Sequence, residues 1–349
     1  MFESCPANTG PVMAVEMYVT LGSRGPRVSR VGLGFWQLGS RLWGARQPDR
    51  EALLAGLTSA LEGGINLLDT AEVYGGGLSE RLLGESLRKL DAKSEFVVVS
   101  KVAGYRASSD DILEGAKGIV GRLGFAPDVI LHHWPPPIYS NLCNVVRGLE
   151  KVVVDGMASY YGLSNYGEDQ ITRALECARR LEPIVDQVQY SLAYRPAENK
   201  LIPMLAERGI GVMAWSPLAK GALAGVKRPQ TKAQRGDRVF KAASNDRELQ
   251  KALEEVASRH GVTKAIVALA WVAAKGAVPI VGWRRPVRVA DAVRAASLAL
   301  TGEDLALLDA ASSKYLKVWG DSYKPEPISR VIYVPGILQR IFITLQGGI

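Results

Sequence analysis

The sequence predicts one (β/α)8 barrel, an α/β fold with an N-terminal hairpin and a long C-terminal tail. Three observations predict it. Short runs rich in valine, isoleucine and leucine alternate with longer amphipathic stretches, the pattern of βαβ crossovers around a parallel sheet. The chain has 349 residues, a length that one such barrel fills as a single domain. The open doubly wound alternative lacks its phosphate fingerprint, because Gly32-Leu33-Gly34 runs into Phe35-Trp36-Gln37 with no third spaced glycine.

In chain order, a small hairpin is expected over 18–20 and 26–29, with the turn at Gly22 and Gly25, placed to plug one barrel end. Strands are expected at 31–35, 65–69, 96–101, 129–132, 157–164, 185–190, 211–215 and 278–281. Helices are expected at 49–62, 79–90, 110–123, 141–154, 168–181, 199–208, 263–275 and 288–296. Residues such as Ser79 and Thr263 open helices by accepting from exposed backbone N–H groups. Glycines such as Gly124 and Gly276 close them. A basic, glycine-marked stretch over 221–245 reads as a long irregular loop, and loops of that length usually serve function. The barrel is assigned to 18–315, an extension to 1–17 and a tail to 316–349. For the tail, docking over a barrel mouth, an oligomer contact and partial disorder are all open.

Composition narrows the function classes. Lys and Arg number 43 against 35 Asp and Glu, for a net charge of +8. That balance suits an anionic partner or a phosphorylated ligand. The basic residues are spread along the chain rather than clustered, which argues against nucleic acid. Only three cysteines and three histidines occur. With no C-x-x-C spacing, neither a disulfide framework nor a zinc site is expected, and a reducing, cytoplasmic compartment follows. No secretory leader is visible over 1–17, and the most apolar helix, 265–274, is too short to span a bilayer. Oligomeric state is left open.

In such a barrel the chemistry lies at the carboxyl ends of the strands. Strand two ends at Asp69, with Tyr74 five residues on, strand three ends at Lys101, and strand four ends at His132-His133-Trp134. An acid, a phenol, an ammonium and an imidazole therefore converge on one mouth. Each suits a step of carbonyl reduction. Tyr74 is the proton donor, Lys101 and Asp69 lower its pKa, and a neutral His133 orients the carbonyl. Taken singly, a buried Asp–Lys pair or a lone histidine is more often structural; the weight lies in their convergence. Trp36, Trp134 and Tyr105, also near strand ends, are expected to line an apolar pocket for a small carbonyl substrate. Trp43 fits that lining or a surface loop equally well.

Asn66-Leu67-Leu68-Asp69-Thr70-Ala71-Glu72-Val73-Tyr74, the Ser100-Lys101 strand end and Leu131-His132-His133-Trp134-Pro135 resemble the signature regions of aldo-keto reductases. The resemblance continues through Gly162-Leu163-Ser164-Asn165-Tyr166, Gln187, Ala214-Trp215-Ser216-Pro217-Leu218 and Pro279-Ile280-Val281-Gly282. It implies that Asp69, Tyr74, Lys101 and His133 form a catalytic tetrad and that NADP is the cofactor. It further implies that Ser164, Asn165 and Gln187 hold the nicotinamide carboxamide, with the ring stacked on Trp215. Ser216, Leu218 and Gly221 would wrap the pyrophosphate, with Gly282 nearby. Arg284, Arg285 and Arg288 would meet the adenosine 2′-phosphate through paired guanidinium contacts, and Asp291 the adenine. Where the family commonly has Asn, this chain has Ala292, which removes one adenine contact.

The leading expectation is an NADP-dependent reductase of aldehydes or ketones. Potassium-channel beta subunits share the fold and tetrad, so a redox-sensing regulatory subunit is the alternative. A Schiff-base aldolase acting through Lys101 ranks last, since it leaves Tyr74, His133 and the arginines without a task.

Overall fold

The computed structural model describes residues 15–43, 50–283, 287–325, 328–345 and 348. Strands β1 (Tyr18–Thr20) and β2 (Arg27–Ser29) form an antiparallel hairpin with Tyr18 opposite Ser29. Eight further strands close into a parallel barrel: β3 (Gly32–Gly34), β4 (Leu67–Asp69), β5 (Val97–Val102), β6 (Val129–His132), β7 (Tyr160–Ser164), β8 (Val185–Gln189), β9 (Gly211–Trp215) and β10 (Ala277–Gly282). Their spatial order is their chain order, and β10 closes on β3 with Ile280 beside Gly32. The expected architecture is therefore the one found.

Helices α1 (Arg50–Glu62), α2 (Leu78–Lys89), α3 (Ser109–Leu123), α4 (Leu142–Val154), α5 (Glu168–Cys177) and α6 (Leu201–Glu207) follow the strands in turn. After β9 come α7 (Lys232–Arg235), α8 (Arg238–Asn245), α9 (Arg247–His260) and α10 (Lys264–Ala274). Then α11 (Val287–Ser297) and α12 (Gly302–Ser312) follow β10, and the tail carries α13 (Ile328–Val331) and α14 (Gly336–Leu345). The stretch expected as a long irregular loop is thus mostly short helices. Asp237 caps α8 by accepting from Phe240 N at 2.7 Å. The sequence reading named neither α9 nor α12.

Two apolar layers hold the barrel together. Strand residues facing outward, such as Leu33, Leu68, Val98 and Ile130, pack against helix residues such as Leu57, Leu83 and Ile119. Inside, Leu67, Val99, Leu131, Val185 and Met213 fill the lower barrel together with Leu21 and Val28 of the hairpin. The hairpin is thereby a plug at the amino ends of the strands, and it leaves the carboxyl ends as the mouth. Gly22 lies so close to Ile184 O and Gly209 O that a side chain there would meet backbone.

A sharper close approach joins α2 to α3. A Cβ on Gly84 would collide with Leu123 O and stand 2.7 Å from Leu123 C, which are backbone atoms with no rotamer to yield. Alanine ordinarily stabilises a helix interior by about 1 kcal/mol over glycine. Overpacking costs about 1–3 kcal/mol, so Gly84→Ala is expected to lower the urea midpoint. An unchanged or higher midpoint would show that the two helices slide apart freely.

One expectation is corrected here. Cys143 and Cys177 are disulfide-bonded, with Cα atoms 4.8 Å apart, linking α4 to α5. Spacing hid this, because helix packing across 34 residues brings the two together. The premise from which a reducing compartment was drawn is therefore removed. Among the described residues no cluster of metal-ligand type occurs, and no helix is long and apolar enough to cross a membrane. The tail, whose role was open, packs over the mouth. Val331 and Ile343 rest on the apolar cluster that contains Tyr74 and Trp134, and Gln339 Oε1 accepts from Trp134 Nε1 at 3.0 Å.

Candidate active site

Backbone pairing places the catalytic candidates before any side chain does. Glu72 N donates to Lys101 O at 3.1 Å and His133 N to Val102 O at 2.9 Å, so the ends of β4, β5 and β6 are mutually registered. After Tyr74 the chain turns sharply through Gly75, Gly76 and Gly77, all in the left-handed region at φ 55°, 61° and 82°. A residue with a Cβ takes that conformation only at a cost. The run fixes Tyr74 at the mouth, with its side chain buried.

The expected tetrad comes together. Lys101 Nζ donates to Asp69 Oδ1 at 2.7 Å, to Thr70 O at 2.8 Å and to Tyr74 Oη at 3.3 Å. All three ammonium donors are thus spent within the cluster. Tyr74 Oη lies 3.5 Å from His133 Nε2, and their rings meet edge to face at 5.4 Å. Lys101 is 0% exposed and Asp69 3%, so the pair lies out of water and only good geometry sustains it. Gln187 Nε2 completes the carboxylate by donating to Asp69 Oδ2 at 2.7 Å.

One electrostatic expectation is reversed. Burial first, then the neighbouring Asp69 carboxylate, push the Tyr74 phenol well above its ordinary value rather than below it. Burial also lowers Lys101, against the pull of Asp69. Desolvation outweighs the lysine's stabilisation of a phenolate, so the hydroxyl keeps its proton. His133 follows the expectation: burial, then Lys101, drive it well below the usual histidine range, and the ring is neutral.

The residues expected to hold a nicotinamide are gathered at the same mouth but engage one another. Asn165, held at φ 64°, donates through Nδ2 to His133 O and to Ser164 Oγ, both at 3.0 Å. Its Oδ1 accepts from Trp215 Nε1 at 2.7 Å and from Tyr323 Oη at 3.1 Å. Ser164 Oγ donates to Gln187 O at 2.9 Å. Trp215 is half-buried with its indole N–H anchored, so the orientation of its ring is fixed. After it, Ser216, Ala219, Lys220 and Gly221 are all left-handed, and Gly221 N donates to Leu218 O at 2.9 Å. The turn closes on itself, with Ala219 N donating to Ser216 O at 2.9 Å and Lys220 N to Ser216 Oγ at 3.2 Å.

Among the described residues, the buried polar atoms His133 Nδ1, Gln37 Oε1 and Trp36 Nε1 lie without a hydrogen-bond partner. Gln37 Nε2 stands where a side chain on Gly282 would go. A flat polar heterocycle fits this combination of fixed indole and unspent polar atoms.

Of the residues expected at an adenosine end, Arg284 and Arg285 lie outside the described residues. Arg288 pairs with Asp291 at 3.1 Å. Asp291 is thus turned to its helix neighbour, and Ala292 is fully buried against the core. Trp36 lies 6.3 Å from the Tyr74 ring, and Trp134 lies 5.1 Å from His133. Tyr105 packs against the same apolar cluster and meets Trp134 edge to face at 6.3 Å. Trp43 packs edge to face on Trp36 at 5.4 Å. Tyr323 and Gln339 were missed by sequence reasoning, since nothing local in a proline-rich tail marks a partner so far away in sequence.

Comparison with known proteins gives the family. The profile described as "Aldo/keto reductase family" matches residues 30–313. Over 279 residues the chain is 33% identical to a probable voltage-gated potassium channel subunit beta of Oryza sativa subsp. japonica, covering 73% of this chain and 83% of that relative. It is 28% identical over 357 residues to a putative aryl-alcohol dehydrogenase of Schizosaccharomyces pombe, covering 90% of this chain and 98% of that one. An aldo/keto reductase of Klebsiella pneumoniae, solved with NADP and acetate, aligns at a TM-score of 0.71 and 27% identity, covering 85% of this chain and 95% of that chain.

Proposed function

The chain belongs to the aldo/keto reductase family, and from that premise we propose that it reduces aldehydes or ketones to alcohols with NADP(H), using Tyr74 as proton donor. One observation carries the proposal. A fully buried Lys101 ammonium bonds Asp69 and Tyr74 together, with a neutral His133 beside the same hydroxyl.

When bound, the dihydronicotinamide supplies a hydride to the carbonyl carbon. His133 and Tyr74 orient the carbonyl oxygen by hydrogen bonding, which draws charge toward it. Tyr74 Oη then gives its proton to that oxygen, and Lys101 holds the remaining phenolate. Asp69 keeps Lys101 charged in a site that burial would otherwise neutralise. Trp36 and Trp134 form an apolar wall and exclude water. Trp215 would support the nicotinamide face, with Ser164, Asn165 and Gln187 at its rim. Ser216, Leu218 and Gly221 would take the pyrophosphate beside Gly282. Arg284 and Arg288 would take the 2′-phosphate, with Asp291 at the adenine edge.

The test is titration with NADPH and NADH, followed by a panel of aromatic and aliphatic carbonyls monitored by cofactor oxidation. NADPH is expected to bind at least about tenfold more tightly, which corresponds to about 1.4 kcal/mol for a 2′-phosphate contact. Turnover is expected on part of the panel. Equal affinity for NADH would remove the arginines from their role. Stoichiometric NADPH binding with no turnover on any carbonyl would transfer the chain to the regulatory reading.

A further inference from the structure

Behind the tetrad runs a second, buried chain of polar groups with no part in the chemistry just described. Arg106, in the loop after β5, grips Glu72 with both arms of its guanidinium: Nε to Oε1 at 2.8 Å and Nη2 to Oε2 at 2.9 Å. The same Glu72 Oε1 accepts from Ala103 N at 2.5 Å. Arg106 O in turn lies 3.0 Å from His132 Nε2, and His132 Nδ1 lies 2.7 Å from Tyr166 Oη. His132 and Tyr166 are both 0% exposed.

The proton positions in this chain are determined. A carbonyl oxygen only accepts, so His132 Nε2 carries the hydrogen. Burial lowers the His132 pKa to about 4, so the ring is neutral and Nδ1 is bare. Tyr166 must then donate to Nδ1. Each link has one direction, and none can be reversed without leaving a buried group unpaired.

Its anchor points give the chain its meaning. Glu72 precedes Tyr74 by two residues, Ala103 follows Lys101 by two, His132 adjoins His133, and Tyr166 adjoins Asn165. We propose that Glu72, Arg106, His132 and Tyr166 form a clamp that sets the relative positions of Tyr74, Lys101, His133 and Asn165. They are positioning residues, not catalytic ones. The functional half of this statement rests on the reductase reading, whereas the mechanical half does not.

Bidentate guanidinium pairing resists both sliding and rotation, so the Tyr74 loop and the Arg106 loop move as one piece. The His132 bridge carries that constraint to β6 and β7. Outer-layer partners of this kind commonly contribute 10–100-fold to activity in metal sites, and misplacement of a reacting group by about 1 Å costs about 100-fold.

Tyr166→Phe tests this, because it deletes one donor and keeps the ring that fills the core; Arg106→Lys is the companion variant, removing the fork and keeping the charge. For both, kcat is expected to fall about tenfold or more, with KM and NADPH affinity within about twofold. The primary isotope effect with deuterated NADPH is expected to rise, since hydride transfer slows. A merely structural role would reduce the active fraction and leave the isotope effect unchanged. Hydrogen exchange of free protein is expected to quicken over 72–76 and 103–107. A kcat within twofold of wild type for Tyr166→Phe, or exchange unchanged in both variants, would overturn the clamp. Exchange needs no turnover, so quickened exchange in a protein inactive on every carbonyl would support the clamp's mechanics and count against the reductase reading alone.

Discussion

Replacing Tyr74 by Phe is expected to cut carbonyl turnover by about 100- to 10,000-fold, the usual worth of a positioned general acid. NADPH affinity and melting temperature should barely move. The reason lies in the partner count of Lys101. Its ammonium donates to Asp69, to Thr70 O and to Tyr74, so loss of the phenol leaves two of three bonds and the ion pair intact. The ring, packed between Trp36 and His133, is retained. A pH profile adds a second check. Burial and Asp69 raise Tyr74, and burial lowers His133. A raised phenol is lost as an acid only above its raised pKa, and a depressed imidazole charges only below its depressed one. Neither group therefore titrates between roughly pH 6 and 9, and kcat for reduction is expected to be flat there. Substantial turnover by Tyr74→Phe would remove that residue from the reaction; a steep alkaline fall in the wild type would mean that Lys101 governs the phenol after all.

That reversal shows where a sequence is legible and where it stops. The barrel could be read because strands covered by helices on one side and filled on the other appear as continuous apolar runs, and because turn and capping residues separate them. The tetrad could be read because its residue types fall at strand ends, and the fold sends those ends to one mouth. What could not be read depends on contacts between distant segments. Helix α5 was expected to run to residue 181 but ends at Cys177. Glu150 Oε1, on α4, accepts from the N–H groups of Arg179, Arg180 and Leu181 at 2.8, 2.6 and 3.0 Å. That capture offers the chain a better partner than another helical turn. The sign of the Tyr74 shift has the same origin. Proximity of a lysine was legible, but the degree of burial that decides between proximity and desolvation was not. Asn165, likewise, looked like a free ligand until Trp215 and Tyr323, brought in from β9 and the tail, occupied its oxygen.

Removing the other half of the buried ion pair should show its effect first in stability. Lys101→Met is expected to destabilise the fold by about 3–5 kcal/mol, because Asp69 stays behind as an unpaired charge in a dry site. For a chain of 349 residues that amounts to a fall in melting temperature of roughly 4–7 °C. The second substitution separates two explanations. If the cost is the orphaned carboxylate, Lys101→Met with Asp69→Asn should recover most of the loss, since an amide oxygen still accepts from Gln187 Nε2, now bonded to Asp69 Oδ2 at 2.7 Å. Activity should not return, because nothing then holds the charge on Tyr74. If the double variant melts as low as the single one, the cost lies in the lost ammonium bonds to Thr70 O and Tyr74 Oη and not in the orphaned carboxylate. If Lys101→Met alone melts normally, Asp69 has taken up a proton, and the melting temperature of that variant must then fall as pH rises. Stability recovered without activity is the outcome that assigns the pair its catalytic task, since it shows a folded mouth from which only the charge has been removed.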